Sequence, residues 1–102
     1  MPIRTAILLT VLITITNGTF EIDFSPDSRN VSVQIEIEGK GSTPYLQIEQ
    51  LPIDGSDSHL SARRPRLPKG RYEIVARIMR QDTEEGRPYT YESSPTITIG
   101  EK

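Results

Sequence analysis

Few side chains in this sequence are of a type and spacing that could do chemistry. His59 is the only histidine, and there is no cysteine. A thiolate metal site, a disulfide framework and a Cys–His couple are therefore excluded. His59 stands in a polar stretch between Ser58 and Leu60 and reads as a solvent-exposed histidine. No Gly-x-Ser-x-Gly elbow and no phosphate-binding loop occurs, and no spacing sets two carboxylates into one cleft. The expectation is a protein that is not an enzyme, with no cofactor and no metal.

Two acidic stretches could offer oxygen ligands to calcium: Asp54-Gly55-Ser56-Asp57 and Asp82-Thr83-Glu84-Glu85. Both lack the alternating acids and the bidentate glutamate of an EF-hand, and both read as solvated turns. The basic cluster Arg63-Arg64-Pro65-Arg66, with Lys69 and Arg71 close by, could meet an acidic partner face or a phosphate. Arg and Pro in that setting also guard an edge strand against mispairing. Tyr89 and Tyr91 lie two residues apart beside the second acidic stretch. Arg63, Arg64, Arg66, Tyr89 and Tyr91 together form the candidate partner-contact patch. A glycan on the tyrosine pair is the weaker alternative to cross-strand packing. Asn17-Gly-Thr and Asn30-Val-Ser match the glycosylation acceptor pattern.

The elements that must position these residues are strands. The chain has 102 residues, which is the size of one domain, with 12 basic and 14 acidic side chains and a net charge of −2. That balance argues against a nucleic-acid binder relying on a basic face. In Leu67-Pro-Lys-Gly-Arg-Tyr72-Glu-Ile-Val-Ala-Arg-Ile78, a Pro/Gly turn feeds a ribbon whose Tyr72, Ile74, Ala76 and Ile78 share one side. Val31, Val33, Ile35 and Ile37 alternate with Ser32, Gln34, Glu36 and Glu38 in the same way. A strand from Tyr45 to Leu51 is expected to turn Leu46 and Ile48 inward and Gln47 and Glu49 outward. A weaker strand runs around His59 to Arg64. A final one covers Tyr89–Glu92 and Thr96–Ile99, broken at Ser93-Ser94-Pro95. The fold class is all-β, a sandwich or small barrel.

Residues 6 to 16 are the most apolar stretch and admit two readings. After Arg4 they could be the h-region of a secretory signal. As a strand, Ile7, Leu9, Val11, Ile13 and Ile15 share one face, and Asn17-Gly18 turns the chain into a return strand carrying Phe20, Ile22 and Phe24. The richness in Thr, Val and Ile favours the strand. An apolar run this short cannot span a bilayer, which needs roughly 20 residues.

From Thr19 to Ile99 the order resembles a fibronectin type III or related immunoglobulin-like domain. The residues that carry the likeness are Leu67-Pro-Lys-Gly-Arg-Tyr72 and Ser93-Ser94-Pro95-Thr96-Ile97-Thr98-Ile99. The Leu67–Tyr72 segment resembles a tyrosine corner, in which the phenol binds a backbone group a few residues upstream. The Ser93–Ile99 segment is similar to the family's last strand with its proline break. The resemblance implies an antiparallel immunoglobulin-like β-sandwich over residues 19–102, with strand A at Thr19–Phe24, B at Val31–Glu38 and C at Pro44–Leu51. Strand E lies near Leu60, and F is Tyr72–Arg80. The family's tryptophan in strand B is replaced by Val33 or Ile35, and no Arg-Gly-Asp is present.

Residues 1–18 then form an additional N-terminal strand, which lengthens this chain's own sandwich or serves as a donor strand for a neighbouring subunit, or else a signal peptide. Ile7, Leu9, Val11, Ile13 and Ile15 are its candidate intersubunit residues. By fold-level analogy, the expected role is a structural module of an assembly, a virion (capsid decoration or tail component) or a surface appendage. Its partners would be protein subunits of that assembly, with no nucleic acid and no membrane span. A secreted or cell-surface binding module with a cleaved signal is the alternative.

Overall fold

Strict apolar–polar alternation, punctuated by Gly, Pro and Asx turns, produces eight strands and no helix in the computed structural model, which describes residues 11–81 and 87–101. The strands are β1 (Val11–Thr16), β2 (Thr19–Phe24), β3 (Asn30–Lys40), β4 (Leu46–Pro52), β5 (His59–Arg63), β6 (Gly70–Gln81), β7 (Pro88–Ser93) and β8 (Ile97–Glu101). They form two antiparallel sheets packed as a β-sandwich. One sheet has the order β1-β2-β5; the other runs β4-β3-β6-β7, with β8 also paired to β6. Among the described residues no helix is long and apolar enough to cross a membrane.

The core lies between the inner faces. Val11, Ile13, Phe20, Ile22, Phe24 and Ala62 come from the smaller sheet, and Val33, Ile35, Ile37, Tyr72, Ile74, Ala76 and Ile78 from the larger. Each fully buried aliphatic side chain contributes about 1.5 to 3 kcal/mol. β1 also reaches across to β6.

The hairpin expected at Asn17-Gly18 is present, with Thr16 facing Thr19. Gly18 has φ +83°, and no non-glycine residue has a positive φ among the described residues. Asn17 therefore keeps a negative φ, which places the glycine at the third position of a type II turn rather than the Asn and Gly of a type I′ turn. Residues 11–18 thus belong to the sandwich itself, and β2 is a central strand rather than the first one.

The last strand is divided as expected. Arg77 faces Ser93, whereas Ile74 faces Ile97, so an extra residue is taken up across the break. Ser94 seals it. Its N–H donates to the Ala76 carbonyl at 2.8 Å, and its hydroxyl accepts the Ala76 N–H at 2.9 Å. β6 thereby keeps both backbone bonds where its neighbour leaves.

One face is opposite to expectation. Leu46 and Ile48 point outward, 65% and 53% exposed. In the β3–β4 register Val33 faces Leu51, Ile35 faces Glu49 and Ile37 faces Gln47, so the odd-numbered residues of β4 share the inner face. Tyr45, Leu51 and Ile53 fix this choice by packing on the core. Shifting the register by one residue would expose all three to bury Leu46 and Ile48. The turn adds a further constraint: a Cβ on Gly39 would sit 2.1 Å from the Thr43 carbonyl oxygen.

Candidate functional site

At the end of the sandwich where β1 begins, the inward stripe of β6 finishes on an arginine. Arg80 is 5% exposed. Its Nε donates to Asn30 Oδ1 at 2.9 Å, and a terminal nitrogen lies 3.3 Å from Asp27 Oδ2. Tyr91 covers it, with the guanidinium carbon 3.2 Å from the ring centroid. A β-bulge makes this possible: Met79 faces Thr90 and Ile78 faces Glu92, leaving Tyr91 as the extra residue. Arg29 grips Asp27 through Nε and a terminal nitrogen, each at 3.0 Å, and through its backbone N–H at 2.9 Å. Those side-chain bonds first, then the backbone bond, hold the Asp27 carboxyl far below the usual carboxylate range. Val11, Phe24, Ile78, Arg80 and Tyr91 border a shallow cleft of about 230 Å³ here. The buried charge is already paired, so this arrangement ties β6, β7 and the β2–β3 connection together.

Asn30 is committed to the same network. It is 3% exposed, and its Nδ2 donates to the Ser25 carbonyl at 3.0 Å. That amide is not available as a glycan acceptor, whereas Asn17 is exposed in its turn.

His59 is exposed and opens the weaker strand, both as expected, but it has partners that the sequence did not announce. On the outer face of the smaller sheet its Nδ1 lies 2.8 Å from Asp23 Oδ1 and its Nε2 2.7 Å from Glu21 Oε2. Ser61 and Thr19 hydroxyls donate to Glu21 Oε1 at 2.8 and 2.9 Å. The hydrogen bond to Asp23, then that to Glu21, raises the His59 pKa above its ordinary 6.5. Glu21 is lowered, chiefly by Ser61 and Thr19. Among the described residues no group of His, Asp and Glu is arranged to hold a metal. The Asp54–Asp57 turn closes on itself, since Asp54 accepts from the N–H and the hydroxyl of Ser56 at 2.9 and 2.8 Å. Those two bonds lower the Asp54 pKa. The Asp82–Glu85 stretch lies outside the described residues.

The anticipated contact patch is two separate regions. Arg63 faces Thr19 beside the Asn17-Gly18 turn, and the Arg64 N–H donates to the Gly18 carbonyl at 2.9 Å. Arg66 is exposed in the connection that follows. Tyr89 faces Arg80, and Tyr91 lines the cleft with Phe24, at the other end of β2. Within the candidate intersubunit strand, Val11 and Ile13 are buried in this chain's own core, Ile15 packs against it, and Ile7 and Leu9 lie outside the described residues.

The residue set that sequence reasoning missed is the free edge of β4. Its signal was present in Leu46, Gln47, Ile48 and Glu49, but attached to the wrong face. Among the described residues β4 packs extensively on β3 alone, and its other edge meets no strand. At the opposite end of the sandwich from Arg80, the Tyr72 hydroxyl donates to the Pro68 carbonyl at 2.5 Å, and the Tyr72 ring meets Tyr45 edge-on, centroids 5.5 Å apart. No protein-family model matches this chain, and no curated protein matches it.

Proposed function

We propose that this chain is a non-enzymatic structural or interaction module of a larger assembly, a virion (capsid decoration or tail component) or a surface appendage. The observation that carries the reading is the open β4 edge. There, among the described residues, a strand paired on one side only presents Leu46 and Ile48, the two most exposed of the large apolar side chains, to solvent. Its partners are protein subunits of the same assembly.

The architecture is proposed to be of the immunoglobulin-like, fibronectin type III kind. The partition β1-β2-β5 against β4-β3-β6-β7/β8 supports this, as does the Tyr72–Pro68 bond. On that lettering β1 is strand A, β2 is B and β3 is C, each one strand earlier than in the sequence mapping, while β6 remains F. The family's strand-B tryptophan position then falls within Thr19–Phe24. Because β1 completes this chain's own sheet, subunit joining moves from the N-terminal strand to β4. The step from fold to assembly rests on analogy.

The test is native mass spectrometry of the protein drawn from its own source. A stoichiometric component of a large complex is the expected result. A lone monomer at physiological concentration would sink the reading.

A further inference from the structure

We infer that the β4 edge pairs antiparallel with the β4 edge of a second copy of this chain about a two-fold axis at Ile48, making one continuous sheet through two subunits. This rests on the assembly reading and names its contact. The hydrogen-bond phase comes first. The Gly39 N–H donates to the Tyr45 carbonyl at 2.8 Å and the Ile53 N–H to the Val31 carbonyl at 3.1 Å. These pairs continue the β3–β4 register by one step at each end. Bonded and non-bonded pairs alternate along an antiparallel ladder. The odd-numbered residues of β4 therefore bond to β3, while Leu46, Ile48 and Gln50 turn their N–H and C=O groups to the open side.

The sequence of β4 then selects the occupant and the register. A two-fold axis at Ile48 sets Leu46 opposite Gln50 of the second copy, Ile48 opposite Ile48, and Gln50 opposite Leu46. All three outward pairs are bonded, about six backbone hydrogen bonds. On the outer face the two Ile48 side chains meet, with a Leu46 on each diagonal. On the inner face Glu49 falls opposite Gln47, an acceptor against an amide. Moving the axis to Glu49 would oppose two carboxylates, which is destabilising. Moving it to Gln47 would bring Pro44, which has no N–H, into the third bonded pair.

Among the described residues, two of the other three edges contrast with this one. β5 is short and runs into Arg63-Arg64-Pro65-Arg66, and the β7/β8 edge is bulged and broken at Ser94-Pro95. These are devices that discourage strand addition. β4 has no proline before Pro52 and no basic side chain. The contact is small beside a stable dimer interface of roughly 1,200 Å² or more, so the isolated pair is weak and forms only as concentration rises.

The full-length protein is examined by sedimentation over a wide concentration range, together with Ile48→Lys, Ile48→Cys and a Thr14→Cys control. Wild type is expected to dimerise as concentration rises. Ile48→Lys should stay monomeric with unchanged circular dichroism and melting temperature, because that side chain is exposed and stands opposite Glu36 in the register. With no native cysteine, Ile48→Cys should give an oxidised dimer, since opposed bonded residues lie about 5.5 Å apart at Cα. Thr14→Cys, exposed on the other sheet, should not. An assembly that forms equally well with Ile48→Lys, and no cross-link in Ile48→Cys, would overturn the edge pairing and leave the assembly reading standing. Wild type that is monomeric at every concentration, and alone in its native source, would overturn both.

Discussion

β6 and β4 are written in the same alternating code and meet opposite fates. In β6 the apolar set Tyr72, Ile74, Ala76 and Ile78 is buried between two sheets. In β4 the apolar pair Leu46 and Ile48 faces water while Gln47 and Glu49 take the inner side. Alternation announces a strand. Which face is buried depends on the partner's register and on whether a second sheet lies opposite. β6 has β1 across from it, whereas β4 flanks the larger sheet with extensive contact only to β3.

The comparison can be broken most forcefully in β6. Ile74→Ala, at a fully buried position, is expected to lower unfolding free energy by about 2 to 5 kcal/mol, read from urea denaturation. A loss under about 1 kcal/mol would mean the core is not where β6 puts it. Tyr72→Phe keeps the ring against Tyr45 but leaves the Pro68 carbonyl unbonded, at about 1 to 3 kcal/mol. Ile48→Ser in β4 should alter monomer stability by no more than about 0.5 kcal/mol. A cost like that of Ile74→Ala would show Ile48 to be an interior residue and erase the contrast.

The smallest effect sharpens the view of the other sheet. The folded-state pKa of His59 is raised, so its contribution is fully present below the unfolded value of about 6.5. It is lost as pH rises through the folded value. Melting temperature should fall over that window in wild type and stay level there in His59→Gln. An unchanged slope in the variant would remove His59 as its source.

These contrasts mark what was legible in the chain. Val33, Ile35 and Ile37, and the β6 stripe, were readable because local alternation and burial agree there. So were the Asn17-Gly18 hairpin and the break around Ser94-Pro95, where turn chemistry is local. The face of β4 was not, because Tyr45, Leu51 and Ile53 outweigh Leu46 and Ile48 only once β3 is alongside. The His59 cluster was hidden by distance, since its partners in β2 lie 38 and 36 residues away. Arg80 was hidden by its type. A charged residue continuing an inward stripe reads as the strand's end until Asn30, Asp27 and Tyr91 are seen to enclose it.

The seal at Ser94 has a mechanical consequence. β8 holds β6 from Gly70 to Ile74 and β7 holds it from Arg77 to Gln81, with the serine between them. A pull on the end of β8 loads Glu101 against Gly70 first and unzips rung by rung towards Ile97. It then meets a paired N–H and hydroxyl at Ala76 that the peeled segment does not share. The last strand therefore yields in two events, and tension can draw out β8 as a short tether while β7 stays seated over the buried arginine.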